Sequence, residues 1–165
     1  MRACRSSIDN QLFHVFLTER LKQVIDDFAV LEDPQERLAV IVDRVKRTPP
    51  LPAGDRIEAN RVRGCVSVVW LVGELHEGRC YFRSDAESPV VRGLVAFLCD
   101  FFNGAPAGEV ATSDAEPVEA LDLTRNLSPT RRNGLAAARK TIRAFALKQI
   151  PSRSTDTTHD PERQS

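Results

Sequence analysis

No stretch of this 165-residue sequence approaches the run of about 18 uncharged apolar residues that a membrane-spanning helix needs, which argues against a transmembrane protein. Net charge is missing too. Lys and Arg number 23 and so do Asp and Glu, so no overall field draws the chain to nucleic acid or to an anionic membrane surface. Cysteine is scarce: Cys4, Cys65, Cys80 and Cys99 are too few and too widely spaced for a disulfide scaffold. None belongs to a CxxC pair or a mixed Cys/His cluster, which excludes the familiar zinc and iron-sulfur ligand sets. Free thiols in a reducing compartment are the expectation. The sequence also has no Gly-rich phosphate loop, HExxH, paired-acid glycosidase arrangement or nucleophile elbow, since GCVSV only sets a serine near a glycine.

Histidine is nearly absent, with His14, His76 and His159 making up the total of 3. His14 stands beside two apolar residues with no partner histidine or acid spaced to complete a site. His76 adjoins Glu74 and Glu77 in what reads as a turn, where a solvated cluster is the ordinary interpretation and a general base the alternative. The opening MRACRSSIDNQ has arginines but no apolar stretch behind them before Asp9, unlike a secretory signal, and that early acid also disfavours an organelle import segment. A cytoplasmic protein is expected.

The length suits one well-buried core, and the sequence offers no reason to propose a second domain. Its most informative stretch is Asn60 to Leu75, NRVRGCVSVVWLVGEL. Two arginines, a glycine and Cys65 precede a run of valines, leucine and tryptophan interrupted only by Ser67. That composition predicts a central strand covered on both faces, with Cys65, Ser67, Val69 and Leu71 on one side and Val66, Val68, Trp70 and Val72 on the other. Cys65 would then stand at the mouth of the strand, after a sharp bend or positive φ at Gly64. Arg61 and Arg63 would share its side, and guanidinium groups nearby favour the thiolate that a nucleophilic cysteine needs. A buried structural cysteine is the competing reading.

Around this stretch the elements follow in order. Residues 1 to 10 read as a frayed start. Leu12, Val15, Phe16, Leu21, Val24, Ile25 and Phe28 recur at helical spacing. Asp33, Pro34 and Glu36 form an N-terminal cap signal for a second helix to about Arg47, burying Leu38, Ile41, Val42 and Val45. The proline-rich Thr48 to Arg61 predicts a surface connection, with a further strand conceivable around Arg56 to Val62. A turn at Gly73 or Glu77-Gly78 leads into Arg79 to Ser84 and closes an antiparallel hairpin that places Cys80 and Phe82 inward. Ser88 and Pro89 start the most apolar helix, in which Cys99 reads as structural, and Asn103-Gly104 closes it. Short turns are expected at Pro106 and Glu116-Pro117, with Leu121 and Leu123 docking the segment. Ser128-Pro129 caps another turn, Asn133-Gly134 predicts a bend, and a last helix follows from about Leu135 to Gln149, with Arg139, Lys140 and Arg143 facing outward. The tail from 151 to 165 has no apolar anchor and reads as disordered.

Taken together, RVRGCVSVVWL at 61 to 71, FRSDAESPVVRGLVAFL at 82 to 98 and LSPTRRNGLAAARKTIRAFA at 127 to 146 resemble the SufE family of sulfur-acceptor proteins. The resemblance spans about residues 12 to 147. GCxSxVW followed by SDA, RGL and LSPxRxxGL is far more specific than any short motif alone. One departure is Val68, where the family commonly has glutamine. The resemblance implies an α+β protein with helices packed on a small antiparallel sheet. It further implies that Cys65 receives sulfane sulfur from the persulfide of a cysteine desulfurase, stimulates that enzyme and passes sulfur toward an iron-sulfur cluster scaffold. Pyridoxal phosphate would belong to the desulfurase, with no cofactor bound by this chain. Arg61, Arg63 and Arg131 become candidates for partner binding, and Asp85 a further one that could instead brace the following helix. Two other readings stay open: an independent cysteine-based thiol transferase or hydrolase, and a non-catalytic binding module suggested by Val68.

Overall fold

The computed structural model describes residues 15–151. The readings made for Cys4, Leu12, His14, His159 and the tail from 152 onward lie outside those residues. The fold is α+β, with six helices and a three-stranded antiparallel sheet among the described residues. Helix α1 is Val15–Phe28 and α2 is Pro34–Lys46; strands β1 and β2 are Val69–His76 and Arg79–Ala86. Helix α3 (Pro89–Phe102) is followed by β3 (Ala105–Pro106), α4 (Ala107–Thr112), α5 (Pro117–Ala120) and α6 (Pro129–Gln149).

The hairpin forms where the turn residues demand it. Glu77 and Gly78 adopt positive φ values of 50° and 76°, the handedness that joins two twisted strands through a two-residue loop, and His76 pairs with Arg79 across it. Cys80 and Phe82 point inward as the alternation requires. The strand expected to be central is, however, an edge. Sheet order is β1-β2-β3, so β2 occupies the middle. The outer side of β1 is covered partly by an isolated bridge between Arg61 and Trp70, and Phe145 of α6 packs over its Gly73, so its apolar residues are buried without a second full neighbour. The two-residue β3 was not anticipated, and the strand conceived around Arg56 to Val62 is reduced to that bridge and a 3-10 turn at Glu58–Asn60.

Helix α3 lies against β2, α2 packs on α3, and α6 packs on α3, α4 and β1. Leu94, Val95, Leu98, Cys99 and Phe102 of α3 are at most 2% exposed, as expected of a helix covered around most of its circumference. Proline in the first turn marks both α2 and α6. The Asp33 carboxylate accepts from Gln35 N at 2.8 Å, and Ser128 Oγ accepts from Arg131 N at 3.4 Å. Ser88 also precedes a first-turn proline but makes no side-chain cap bond. In α1, Leu17 is buried while Val15 and Ile25 are exposed, so the apolar stripe is rotated from the one expected. Its first turn is held from a distance: the buried Glu109 accepts from Phe16 N and Leu17 N at 3.3 and 2.9 Å.

Two expectations for the C-terminal region are corrected. Asn133-Gly134 does not bend the chain, because α6 runs unbroken for 21 residues from Pro129. Arg139 does not face outward. It is 8% exposed, stacks 4.3 Å from the Phe102 ring centroid, donates to the Ser113 carbonyl at 2.7 Å and pairs with Glu116 at 3.3 Å. A long guanidinium can be buried when a ring, a carbonyl and a carboxylate surround it, and apolar spacing alone does not reveal those partners. Arg139→Ala is expected to reduce unfolding free energy by about 2 kcal/mol. Arg143→Ala, at a more exposed position, should cost clearly less, and urea titration of both variants measures the difference.

Candidate functional site

Cys65 does not begin the strand. Val62 N donates to Val69 O at 2.8 Å and Arg61 bridges Trp70, so residues 63 to 68 form a loop closed at its base with Cys65 near the middle. The base is fixed in the core, with Val62 2% and Val69 0% exposed, whereas Val66 at the tip is 82% exposed. Gly64 adopts φ 83°, the left-handed conformation expected immediately before the cysteine. Glu87 N donates to the Val68 carbonyl at 3.2 Å, so the backbone of that residue anchors the end of the loop whatever its side chain.

The Cys65 side chain is partly buried against the core and turns toward α6. A Cβ added to Gly134 would lie 2.8 Å from Cys65 Sγ, closer than real side chains approach. Gly134 is therefore a close-approach position, although a glycine inside a helix sacrifices about 1 kcal/mol relative to alanine. Arg131 lies three residues earlier, on the same helix face. Its guanidinium is partly exposed and has no hydrogen bond or ion pair among the described residues. Arg61 and Arg63 each approach a carboxylate oxygen of Glu58 at 3.6 Å, so one acid offsets one of the two positive charges beside the loop.

Asp85 sits apart from the solvent. It is 5% exposed, accepts from Leu51 N at 3.2 Å and Ala86 N at 2.9 Å, and pairs with Arg92 Nε at 3.0 Å. Arg92 also donates to the Thr48 carbonyl at 3.0 Å. These bonds fasten the proline-rich connection to β2 and α3, and thereby fix the segment that delivers Arg61 and the cysteine loop. Leu51 and Arg92 had no functional reading in the sequence. Neither did Glu58, because only the folded turn brings it to two arginines.

The other described thiols are poor nucleophiles. Cys80 is fully buried and burial pushes its pKa up to about 11; burial raises that of Cys99 to about 12. Both stay protonated at neutral pH. His76 pairs with Glu74 at 3.2 Å at the far end of β1, seven strand steps or about 23 Å from Val69. It is the one histidine among the described residues and does not reach Cys65. Among these residues no group of three His, Cys, Asp or Glu side chains is placed to hold a metal ion, and no helix is long and apolar enough to cross a membrane.

The chain that carries this arrangement, a cysteine on a loop rooted in the sheet and leaning on a helix glycine, is similar to known proteins. The family model described as "SufE: Fe-S metabolism associated domain" matches residues 22–146, which include the cysteine loop, Asp85 and the LSPTRRNGL segment. The chain belongs to the SufE family. An uncharacterized SufE-like protein of Rhizobium etli is 39% identical over 131 residues, 76% of this chain and 88% of its relative. Another from Rhizobium meliloti is 34% identical over 137 residues, covering 80% and 98% of the two chains. The solution structure of a hypothetical protein from Thermus thermophilus matches with a TM-score of 0.63 at 23% identity, over 78% of this chain and 94% of that one, a likeness of fold. Membership of the SufE family places the chain in iron-sulfur metabolism. Gly134, first read as a helix interruption, also lies within the matched residues. The available signal was its i, i+3 register with Arg131.

Proposed function

We propose that this protein accepts sulfane sulfur on Cys65 from a pyridoxal-phosphate cysteine desulfurase, stimulates that enzyme, and passes the sulfur to an iron-sulfur cluster scaffold. The observation that carries the reading is the contrast among thiols: Cys65 stands on a loop with a solvent-facing tip in a SufE-family chain, while Cys80 and Cys99 are buried. In the transfer, the Cys65 thiolate attacks the outer sulfur of the desulfurase persulfide. A new S–S bond forms at Cys65, the S–S bond in the enzyme breaks, and the enzyme's cysteine leaves as thiolate. Attack by a scaffold thiol on the outer sulfur of Cys65–S–SH repeats the exchange and regenerates Cys65. Each step conserves electrons, so neither an oxidant nor a cofactor on this chain is required. The separation of His76 from the loop gives no support to an independent Cys-His hydrolase.

Arg131 is the leading docking residue in this reading. Its charge, unpaired among the described residues, lies on the α6 face that meets the cysteine loop, whereas Arg61 and Arg63 already share Glu58. Asp85 is assigned a positioning role because its carboxylate is buried and occupied. Arg131→Glu should weaken binding to the cognate desulfurase by roughly tenfold at low salt, with the difference shrinking as salt rises. Arg61→Glu and Arg63→Glu should have smaller effects. Calorimetric titration of each variant into the loaded desulfurase, alongside its cysteine turnover, tests the assignment. Unchanged affinity and stimulation for all three variants would remove the arginines from the interface.

A further inference from the structure

Gly134 is the sixth residue of the 21-residue α6, in its interior, where glycine weakens a helix and has no turn to make. Its neighbour explains it. Beyond its own stretch of helix backbone and its chain neighbours, the single atom within 4 Å of a Cβ placed at this position is Cys65 Sγ, at 2.8 Å. The space withheld by the missing methyl is therefore occupied by the thiol alone. Deepening, and resting on, the reading of Cys65 as sulfur acceptor, we propose that Gly134 is the positioning residue of that cysteine: the bare helix backbone is the seat in which the unloaded thiol rests.

The cysteine has one side-chain rotor that matters, so a methyl at Gly134 leaves it few choices. Sγ must turn to another staggered position or the loop must lift from α6. The loop base is held by the buried Val62 and Val69, while its exposed tip at Val66 contributes little packing, so the tip and the thiol yield first. Either movement takes the sulfur off the helix, and lifting of the exposed tip takes it toward solvent. The seat thus restrains reaction with small molecules while leaving the thiol on an exposed loop.

The test compares Gly134→Ala with the unaltered chain in two measurements that contain no desulfurase. The first is the rate of Cys65 alkylation by iodoacetamide, read by peptide mass spectrometry, with the buried Cys80 and Cys99 as internal controls. Gly134→Ala should speed the Cys65 reaction roughly three- to tenfold. The second is a thermal double-mutant cycle with Cys65→Ala. With Sγ removed, alanine at 134 gains helix propensity and fills the vacated space, raising Tm by about 2 °C or more; with Cys65 present the gain should be absent or reversed. Should Gly134→Ala fail to fold alone, folding restored by Cys65→Ala supports the same contact. An unchanged or slower alkylation rate overturns the proposal, as does an equal Tm change in both backgrounds. Failure of sulfur transfer in the unaltered protein would defeat the acceptor reading without altering either result.

Discussion

Asp85→Ala should lower unfolding free energy by about 3 kcal/mol, because it strips partners from groups that cannot reach water easily. The carboxylate is 5% exposed and serves Leu51 N, Ala86 N and Arg92 at once. Removing it leaves the Arg92 guanidinium without its acid and Leu51 N without an acceptor. Asp85→Asn retains an acceptor but not the charge, so its loss should be smaller, about 1–2 kcal/mol. Hydrogen exchange should increase across residues 48–61, which depend on this anchor, more than in β1 and β2. Urea titration and exchange mass spectrometry measure the two effects. Full stability combined with lost desulfurase binding would instead place Asp85 in the docking surface.

The same residue illustrates what was legible in the sequence. SDA and RGL bring Asp85 and Arg92 into one family signature, but only the hairpin register and the start of α3 show that the two side chains meet, with Leu51 arriving from a proline-rich connection. Local signals with a self-contained mechanism were readable. Asp33-Pro34 and Ser128-Pro129 begin helices, Glu77-Gly78 turns a hairpin, and alternation sends Cys80 and Phe82 inward. Signals completed by distant residues misled. Arg139 resembles a solvated charge until Phe102, Ser113 and Glu116 surround it, whereas Ser88-Pro89 does start its helix as read, without a side-chain cap bond.

The organising stretch shows both outcomes. Its apolar run does form a strand, and Val69 and Leu71 face the core as the alternation requires. Apolarity could not distinguish a central strand from an edge covered by a bridge and a helix. Nor could it show that Val66 and Val68 precede the strand, because a loop packed at its base can be as apolar as the strand it joins. Asn133-Gly134 was misread for a related reason. Local propensity favours an interruption, but α6 continues, and the space at Gly134 is taken by Cys65 Sγ from a loop far earlier in the chain.

Cys65→Ser should abolish sulfur acceptance altogether while leaving the fold intact. The replacement is nearly isosteric and the side chain is only partly buried, so stability should change by less than about 1 kcal/mol. Serine retains the shape but lacks a sulfur nucleophile, so neither the exchange with a desulfurase persulfide nor the onward transfer can occur. Stimulation of desulfurase turnover should vanish with it, whereas binding should persist if Arg131 and its neighbours carry the docking. That combination separates a sulfur acceptor from a binding module. The decisive measurement is persulfide mapping: the protein is mixed with its cognate desulfurase and cysteine, and the added sulfur is located by peptide mass spectrometry under conditions that preserve persulfides. The account predicts one added sulfur on Cys65 and none after Cys65→Ser. Sulfur appearing reproducibly on Cys4, Cys80 or Cys99, with transfer intact in Cys65→Ser, would contradict it.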